Sequence, residues 1–274
     1  MRVLERFMRG KDGSDTGGED AIVVTPAYAA VLDGATAKTT RRYDGRTPGA
    51  HAGRVLAAGI VALPDGADAV TAVRLLSERL AASLGAHGAT EVAPHERPAA
   101  AAAVYSAARR ELWLVGDCQA LVGDRLVREE RPLEGLMVEV RSAVLALART
   151  GGTAVDDLLR EDPGRAFILP LLRLQARLQN TPDAAAARWR HAALDGTPVH
   201  PDDVRVVPVP PGVDRLALAS DGYPVVRPSL AECEAELAAL LAEDPLCCRR
   251  HLATKGRMHG QISYDDRAYL LLAI

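Results

Sequence analysis

The order of the strand-like and helix-like segments constrains the fold of this chain more than any other feature of its sequence. Two short apolar runs at 21–25 and 27–34 flank Pro26, which predicts a hairpin. Three further apolar runs between 99 and 130 alternate with turn residues and predict an antiparallel meander. Later strands are predicted within 187–199 and at 204–210, 214–222 and 267–274.

Helical periodicity occupies the intervals between those strands. Apolar residues recur at helical spacing in 52–63, 68–84 and 134–180. Ser229 and Glu232 form a capping box, which predicts a helix over 229–244. Because helices come in groups between hairpins and meanders, the sequence predicts an α+β fold. Its antiparallel sheets would carry helices on their outer faces, unlike a parallel β-α-β sheet.

Composition and charge exclude several classes of protein. The chain has 274 residues, of which 48% are hydrophobic and 25% charged, enough for a sizeable core. The net charge of -3 lacks the basic excess typical of a nucleic-acid binder, so no nucleic acid is expected as a partner. No apolar run approaches the length of a membrane span, and no membrane partner is expected. The four cysteines lack metal-binding spacing and the first residues do not form a signal peptide, which predicts a cytoplasmic protein with reduced thiols.

Acidic residues stand where apolar strands meet loops. Asp33 and Asp221 each end such a run and are followed by glycine. The pair Asp265-Asp266 and the pair at 19–20 each precede a strand. A single Asp in such a place is more often a turn former. Four acidic groups at strand ends would repel one another unless a cation lay among them, and all-oxygen ligation suits Mg²⁺ or Mn²⁺ rather than zinc.

Five stretches resemble the metal-dependent protein phosphatases (type 2C serine/threonine phosphatases) in their order and rough spacing. They are GEDAIVV, AVLDGA, LWLVGDCQALV, RLALASDG and YDDRAYLLLA. The corresponding family patterns resemble N-E-D-A, V-x-D-G-H-G-G, V-G-D-S-R-A, L-x-S-D-G-L and D-N/D-x-T. No single motif is specific, but the ordered set is, and it runs from residue 19 to 274 with no match in 130–200.

The resemblance implies a four-layer α-β-β-α sandwich of two antiparallel sheets flanked by helix pairs. It implies one phosphatase-like domain over 1–274 with a divergent helical insert at about 130–200. Such an insert beside an active site usually alters the choice of substrate, since loops carry specificity on a shared scaffold.

The resemblance also implies a set of metal ligands. The catalytic residues would be Asp33, Asp221 and Asp265, which with the Gly34 carbonyl would hold two divalent cations, Mg²⁺ or Mn²⁺. A water bridging the two ions would lose a proton and attack phosphorus in line, without a side-chain nucleophile. Glu19 and Asp20 would complete the ligand shell, mostly through water. Asp266 would compete with Asp265 for its ligand position.

Some positions depart from the family pattern. Many members carry an Arg that clamps the substrate phosphate four residues before the Glu of the acidic pair, where this chain has Asp15. The candidates for a replacement cation are Lys38, Arg41, Arg42, Lys255 and Arg257, with Lys11 and His259 as further options. For any one of them a solvated loop is the simpler alternative. Asp117 is interpreted as a residue that holds a sheet turn, and Cys118 as a small buried residue.

Two functions from different classes remain open at this point. The first is a metal-dependent phosphomonoester hydrolase that acts on a phosphoserine or phosphothreonine protein or on a small phosphorylated molecule. The second is a phosphatase-like regulatory or binding module with weak or no turnover, which the altered 35–51 loop favours. Metal stoichiometry separates them, and the oligomeric state stays open.

Overall fold

The computed structural model describes residues 1–16, 18–88 and 92–274 of the chain. Within these ranges ten strands form two five-stranded sheets. The first sheet contains, in spatial order, β2 (Ala21–Val24), β3 (Tyr28–Gly34), β4 (Ala100–Ser106), β5 (Glu111–Val115) and β8 (Arg205–Pro208). The second contains β1 (Arg2–Arg9), β10 (Arg267–Ala273), β9 (Arg215–Ala219), β6 (Gln119–Val122) and β7 (Arg125–Val127).

All strand pairs between neighbours are antiparallel, as the hairpin and meander patterns predicted. The predicted hairpin is confirmed, since β2 pairs with β3. The predicted meander does not stay in one sheet. Its chain leaves the first sheet after β5 and enters the second at β6, which pairs with β9.

Helices cover the two outer faces. α1 (Pro48–Val61) and α2 (Ala69–Ala86) pack on the first sheet, and α6 (Leu230–Glu243) packs on the second. A cluster of aliphatic side chains and alanines fills the space between the sheets. The predicted four-layer α-β-β-α order is therefore confirmed. Of the described residues, none form a helix long and apolar enough to cross a membrane.

Two local predictions need correction. The loop expected at 35–51 ends in the first turn of α1, because the Thr47 side chain accepts the Ala50 N–H and Pro48 occupies the first helical position. The strand expected within 187–199 is reduced to isolated bridges at His191 and Leu194.

Three helices fill the segment in which the sequence predicted an insert. They are α3 (Pro132–Thr150), α4 (Val155–Arg160) and α5 (Pro163–Leu174). α3 packs antiparallel to α5, since Gly164 lies against Arg141 and Leu145 while Ile168 meets Met137. The fully buried Arg141 side chain joins this helix pair to the segment before β10, because it pairs with Asp162 and donates to backbone carbonyls at 246, 247 and 253.

Candidate functional site

Strand directions bring the acidic strand ends to one edge of the sandwich. β3 and β5 run parallel to each other because both pair antiparallel with β4 between them, so Asp33 and Asp117 leave the first sheet at the same edge. β9 and β10 are antiparallel neighbours, so Asp221 after β9 lies beside Asp265 before β10. The Asp221 N–H donates to the Asp33 carboxylate at 3.1 Å and joins the two sheets at this edge.

Three carboxylates form a compact group at this edge. Asp33, Asp117 and Asp221 each offer an oxygen, and these oxygens all lie within 4.8 Å of one another. The Asp221 Oδ1 atom is buried and makes no hydrogen bond within the described residues. A buried carboxylate oxygen without a donor is costly unless a cation binds it. The three residues therefore fit a hard divalent cation such as Mg²⁺ or Mn²⁺.

Burial and mutual repulsion dominate the electrostatics of this group. Burial, followed by the charges of Asp20 and Asp117, raises the pKa of Asp33 well above its ordinary value. Burial, followed by the charges of Asp33 and Asp265, does the same to the pKa of Asp221. A divalent cation among these carboxylates would favour their charged forms and reverse both shifts.

Gly34 allows the backbone at the end of β3 to approach its neighbours closely. A Cβ there would lie 2.3 Å from the Glu19 carbonyl oxygen and 2.7 Å from the backbone of Gly49 in α1. No side chain fits at that distance. The packing explains the glycine, and the role of its carbonyl as a ligand stays a prediction.

Glu19 and Asp20 lie behind this edge and are buried. Asp20 accepts a hydrogen bond from the Ser220 hydroxyl at 2.7 Å, whereas Glu19 Oε1 has no donor within the described residues. Burial raises the pKa of both carboxyl groups. Their predicted place in a ligand shell stays a prediction.

Asp265 and Asp266 have a different environment, because lysines neutralise them. Lys255 Nζ lies 2.5 Å from Asp265 Oδ2. Lys11 Nζ lies 3.2 Å from Asp266 Oδ2 and 3.6 Å from Asp265 Oδ1. Burial opposes the ionisation of Asp265, but Lys255 and Lys11 outweigh it and hold the pKa of Asp265 below its ordinary value.

A cavity of about 110 Å³ opens above the carboxylates and has a cationic wall. Lys38 and Arg165 of α5 form this wall, and the same cavity is lined by Asp33 and Asp221. Within the described residues, the Lys38 ammonium donates only to the Thr36 carbonyl, at 3.3 Å, and forms no ion pair. Burial, with repulsion from Arg165 and Lys255, lowers the pKa of Lys38 to about 8. This wall can bind an anion.

The other predicted cations lie elsewhere. Arg41 pairs with Glu96 at 3.4 Å, and Arg42 is exposed. The backbone N–H groups of Arg257 and His259 donate to the carbonyls of residues 245 and 159, and neither side chain lines the cavity. Of the predicted phosphate-binding candidates, the structure thus brings Lys38 and Lys255 to the carboxylates. Lys11 also lies there, but it is engaged with Asp266.

Sequence reasoning missed two residues of this site. Asp117 was interpreted as a structural turn residue, yet it lies with Asp33 and Asp221. A signal was present, since Asp117 ends an apolar strand as the other two do. It also accepts a hydrogen bond from Arg131 at 2.7 Å. Arg165 lies in the segment without family resemblance, and no local pattern marks it.

Comparisons with known proteins give structural neighbours only. No protein-family model matches the sequence, and no curated protein matches it. The alignment with the crystal structure of the serine/threonine phosphatase Stp1 from Staphylococcus aureus covers 100% of this chain and 96% of the Stp1 chain, with a TM-score of 0.50 and 11% identity. The Mycobacterium tuberculosis serine/threonine phosphatase PstP/Ppp covers 100% and 99%, with a TM-score of 0.46 and 17% identity. The catalytic domain of PstP in complex with two manganese ions covers 99% and 99%, with a TM-score of 0.48 and 16% identity.

Proposed function

We propose that this chain, which shares the fold of the serine/threonine phosphatase Stp1, is a divalent-cation-dependent phosphatase that hydrolyses phosphomonoesters. The observation that carries the proposal is the convergence of Asp33, Asp117 and Asp221 within 4.8 Å beneath a cavity with a cationic wall. An acidic centre that would hold a metal lines the same cavity as the cations Lys38 and Arg165, and this combination suits the binding of a phosphate group.

In this proposal Asp33, Asp117 and Asp221 hold Mg²⁺ or Mn²⁺. A divalent cation there supplies an activated water and neutralises phosphoryl oxygens. The chain itself supplies position. The Asp221 N–H fixes the Asp33 carboxylate through its 3.1 Å hydrogen bond, and Arg131 fixes Asp117 at 2.7 Å. Carboxylates held in this way lose little freedom when a cation binds.

The cationic wall would orient the substrate. Lys38 is free of carboxylate partners within the described residues, so its ammonium can turn towards a phosphate oxygen. Arg165 donates to the Thr254 carbonyl at 3.0 Å and retains other N–H groups for the same anion. Lys38 and Arg165 replace the clamping Arg that the resemblance led us to expect at the position of Asp15.

We propose the substrate class from the fold resemblance. A phosphoserine or phosphothreonine protein is the first candidate, and a small phosphorylated molecule is the second. Two wider grooves, of about 440 and 790 Å³, share Lys255 with the site. They leave room for a polypeptide next to the phosphate.

Hydrolysis of an aryl phosphate tests the proposal. The purified chain is assayed with EDTA, Mg²⁺ or Mn²⁺, beside Asp221→Ala and the matched control Asp214→Ala. Asp214 is an exposed Asp before the opposite end of the same strand, β9. We expect turnover that requires the cation, vanishes in Asp221→Ala and persists in Asp214→Ala.

The alternative is a binding module on the same scaffold. Absence of turnover in the wild-type chain with either cation would contradict the phosphatase proposal. If the chain then still bound a phosphorylated peptide, with weaker binding in Lys38→Met, the binding module would be the better description. Unchanged binding in that variant would show that the Lys38 side chain does not bind phosphate in either function.

A further inference from the structure

Both oxygens of Asp265 are already engaged by donors from the chain. Oδ2 lies 2.5 Å from Lys255 Nζ. Oδ1 accepts the N–H of Asp266 at 2.9 Å and lies 3.6 Å from Lys11 Nζ. Both lysine side chains are largely buried, with exposed fractions of 16% for Lys255 and 22% for Lys11. These ammonium groups have therefore exchanged most of their water for carboxylate partners.

Further contacts fix the two lysines in place. Lys255 Nζ also donates to the Thr36 hydroxyl at 2.5 Å. The Lys11 backbone N–H donates to Asp266 Oδ1 at 2.8 Å, and its ammonium reaches Asp266 Oδ2 at 3.2 Å. The Glu19 N–H donates to the same Oδ2 at 3.1 Å. The lysine positions are thus part of the folded framework rather than surface ion pairs.

The neighbouring carboxylates lack such an ammonium partner in the part of the chain that the structure describes. Within the described residues neither Asp33 nor Asp221 forms an ion pair with a lysine or arginine, and Asp221 Oδ1 has no donor. Asp117 pairs with Arg131 through Oδ1. The edge of the sandwich is therefore divided into Asp33 and Asp221, which have no such ion pair, and the pair Asp265-Asp266, which Lys255 and Lys11 neutralise.

A second divalent cation at Asp265 would compete with the lysines for the same oxygens. It would also lie within a few ångströms of two ammonium charges, which repel it in a buried site. We propose that the ammonium groups of Lys255 and Lys11 take the place of a second divalent cation beside Asp265, so that the site binds a single cation, at Asp33, Asp117 and Asp221. This inference rests on the proposed function for the identity of the cation site, and it revises the expectation of two ions.

Metal stoichiometry tests the inference. Chelator-treated protein is titrated with Mn²⁺ by calorimetry, and the bound Mn²⁺ is examined by electron paramagnetic resonance. We expect the wild-type chain to bind one Mn²⁺ with the spectrum of an isolated ion. The double variant Lys11→Met, Lys255→Met should bind two Mn²⁺ and show exchange coupling between them. The charge-conserving Lys11→Arg, Lys255→Arg should still bind one.

Two Mn²⁺ ions in the wild-type chain would overturn the inference, and so would a double methionine variant that binds only one. Melting curves by circular dichroism show whether each variant folds. If the methionine variant does not fold, Asp265→Asn and Asp221→Asn decide. The first should keep the single ion and the second should lose it. The opposite pattern would place the ion at Asp265 and overturn the inference.

Aryl phosphate hydrolysis on the same samples separates this inference from the proposed function. Turnover with two bound ions would support the phosphatase proposal and contradict the inference that lysines replace the second cation. One bound ion without turnover would support that inference and contradict the phosphatase proposal.

Discussion

Two acidic groups at the same edge of the sandwich have opposite electrostatics. Asp33 and Asp221 have raised pKa values, because their carboxyl groups are largely shielded from water and lie beside other carboxylates. The Asp265 side chain is also only 14% exposed, but Lys255 and Lys11 hold its pKa below the ordinary value. Both groups stand at strand ends, although Asp33 and Asp221 follow an apolar strand and precede glycine, whereas Asp265 precedes a strand. A strand end therefore places a carboxylate, whereas countercharges from distant segments decide what that carboxylate can bind.

The largest expected difference between the two groups is in turnover. Asp33→Asn should lower kcat/KM for an aryl phosphate by on the order of 10³, since it removes several kcal/mol of cation-dependent stabilisation at about tenfold per 1.4 kcal/mol. Asp265→Asn should cost roughly tenfold, because it removes a supporting carboxylate. Steady-state kinetics at saturating Mn²⁺ measures both. Equal losses in the two variants would contradict the electrostatic difference between Asp33 and Asp265.

A second prediction concerns the support of the segment that carries Lys255. Arg141→Met should lower the free energy of unfolding by about 3–5 kcal/mol, because it leaves the buried Asp162 carboxylate and three carbonyls without their donor. Urea denaturation measures the change. Arg149→Met on the exposed side of α3 is the control and should change it by less than about 0.5 kcal/mol. A small loss for Arg141→Met would contradict this account.

The two groups should also differ in the pH dependence of stability in EDTA. A raised folded-state pKa gives Asp221 a contribution that is present below its unfolded pKa of about 3.9 and is lost as the pH rises. The lowered pKa of Asp265 gives a contribution that is present above about 3.9 and is lost as the pH falls. Near neutral pH, Asp221→Asn should therefore stabilise the metal-free chain and Asp265→Asn should destabilise it.

Urea denaturation between pH of about 5 and 7.5 measures these differences. Saturating Mn²⁺ should remove the advantage of Asp221→Asn, since only the wild-type chain gains from the bound cation. If both variants shifted stability in the same direction, the electrostatic division of the site would be wrong.

The smallest expected effect concerns the cationic wall. The pKa of Lys38 is about 8, so its charge is present below that pH and is lost above it. Inhibition by inorganic phosphate should weaken by several-fold as the pH rises through this value. Lys38→Met should raise the inhibition constant at neutral pH by roughly tenfold, the loss of one charge-assisted hydrogen bond. In Lys38→Arg the inhibition by phosphate should remain strong at high pH. A wild-type pH profile in that variant would exclude Lys38 as the titrating group.

Most of the fold could be predicted from the sequence, with one instructive omission. β1 escaped prediction because charged residues interrupt RVLERFMR and because a bulge between Val3 and Glu5 breaks the two-residue alternation. The strand forms through its pairing with β10, which is distant in sequence. Segments with local signals, such as the α6 capping box at Ser229, formed as predicted.

The site was predictable in its acids and unpredictable in their partners. Asp33 and Asp221 follow from strand-end patterns, and the same pattern would have found Asp117. The pairing of Lys255 with Asp265, and of Arg41 with Glu96, depends on how distant loops pack. Sequence spacing does not encode such tertiary contacts. It therefore could not show that Lys255 lies at the site and that Arg41 lies away from it.

The irregular segment between α6 and Lys255 is held from two sides. The Asp244 carboxylate accepts N–H groups of Cys248, Arg249 and Arg250, while Arg141 takes the carbonyls described above. This segment should not open on the nanosecond timescale of ordinary loop motion, because its opening requires the contacts with α3 to break. The hydrogen-bonded amides at 247–251 and 253 should therefore exchange slowly with solvent, and this limits the motion of Lys255, which follows them in the chain.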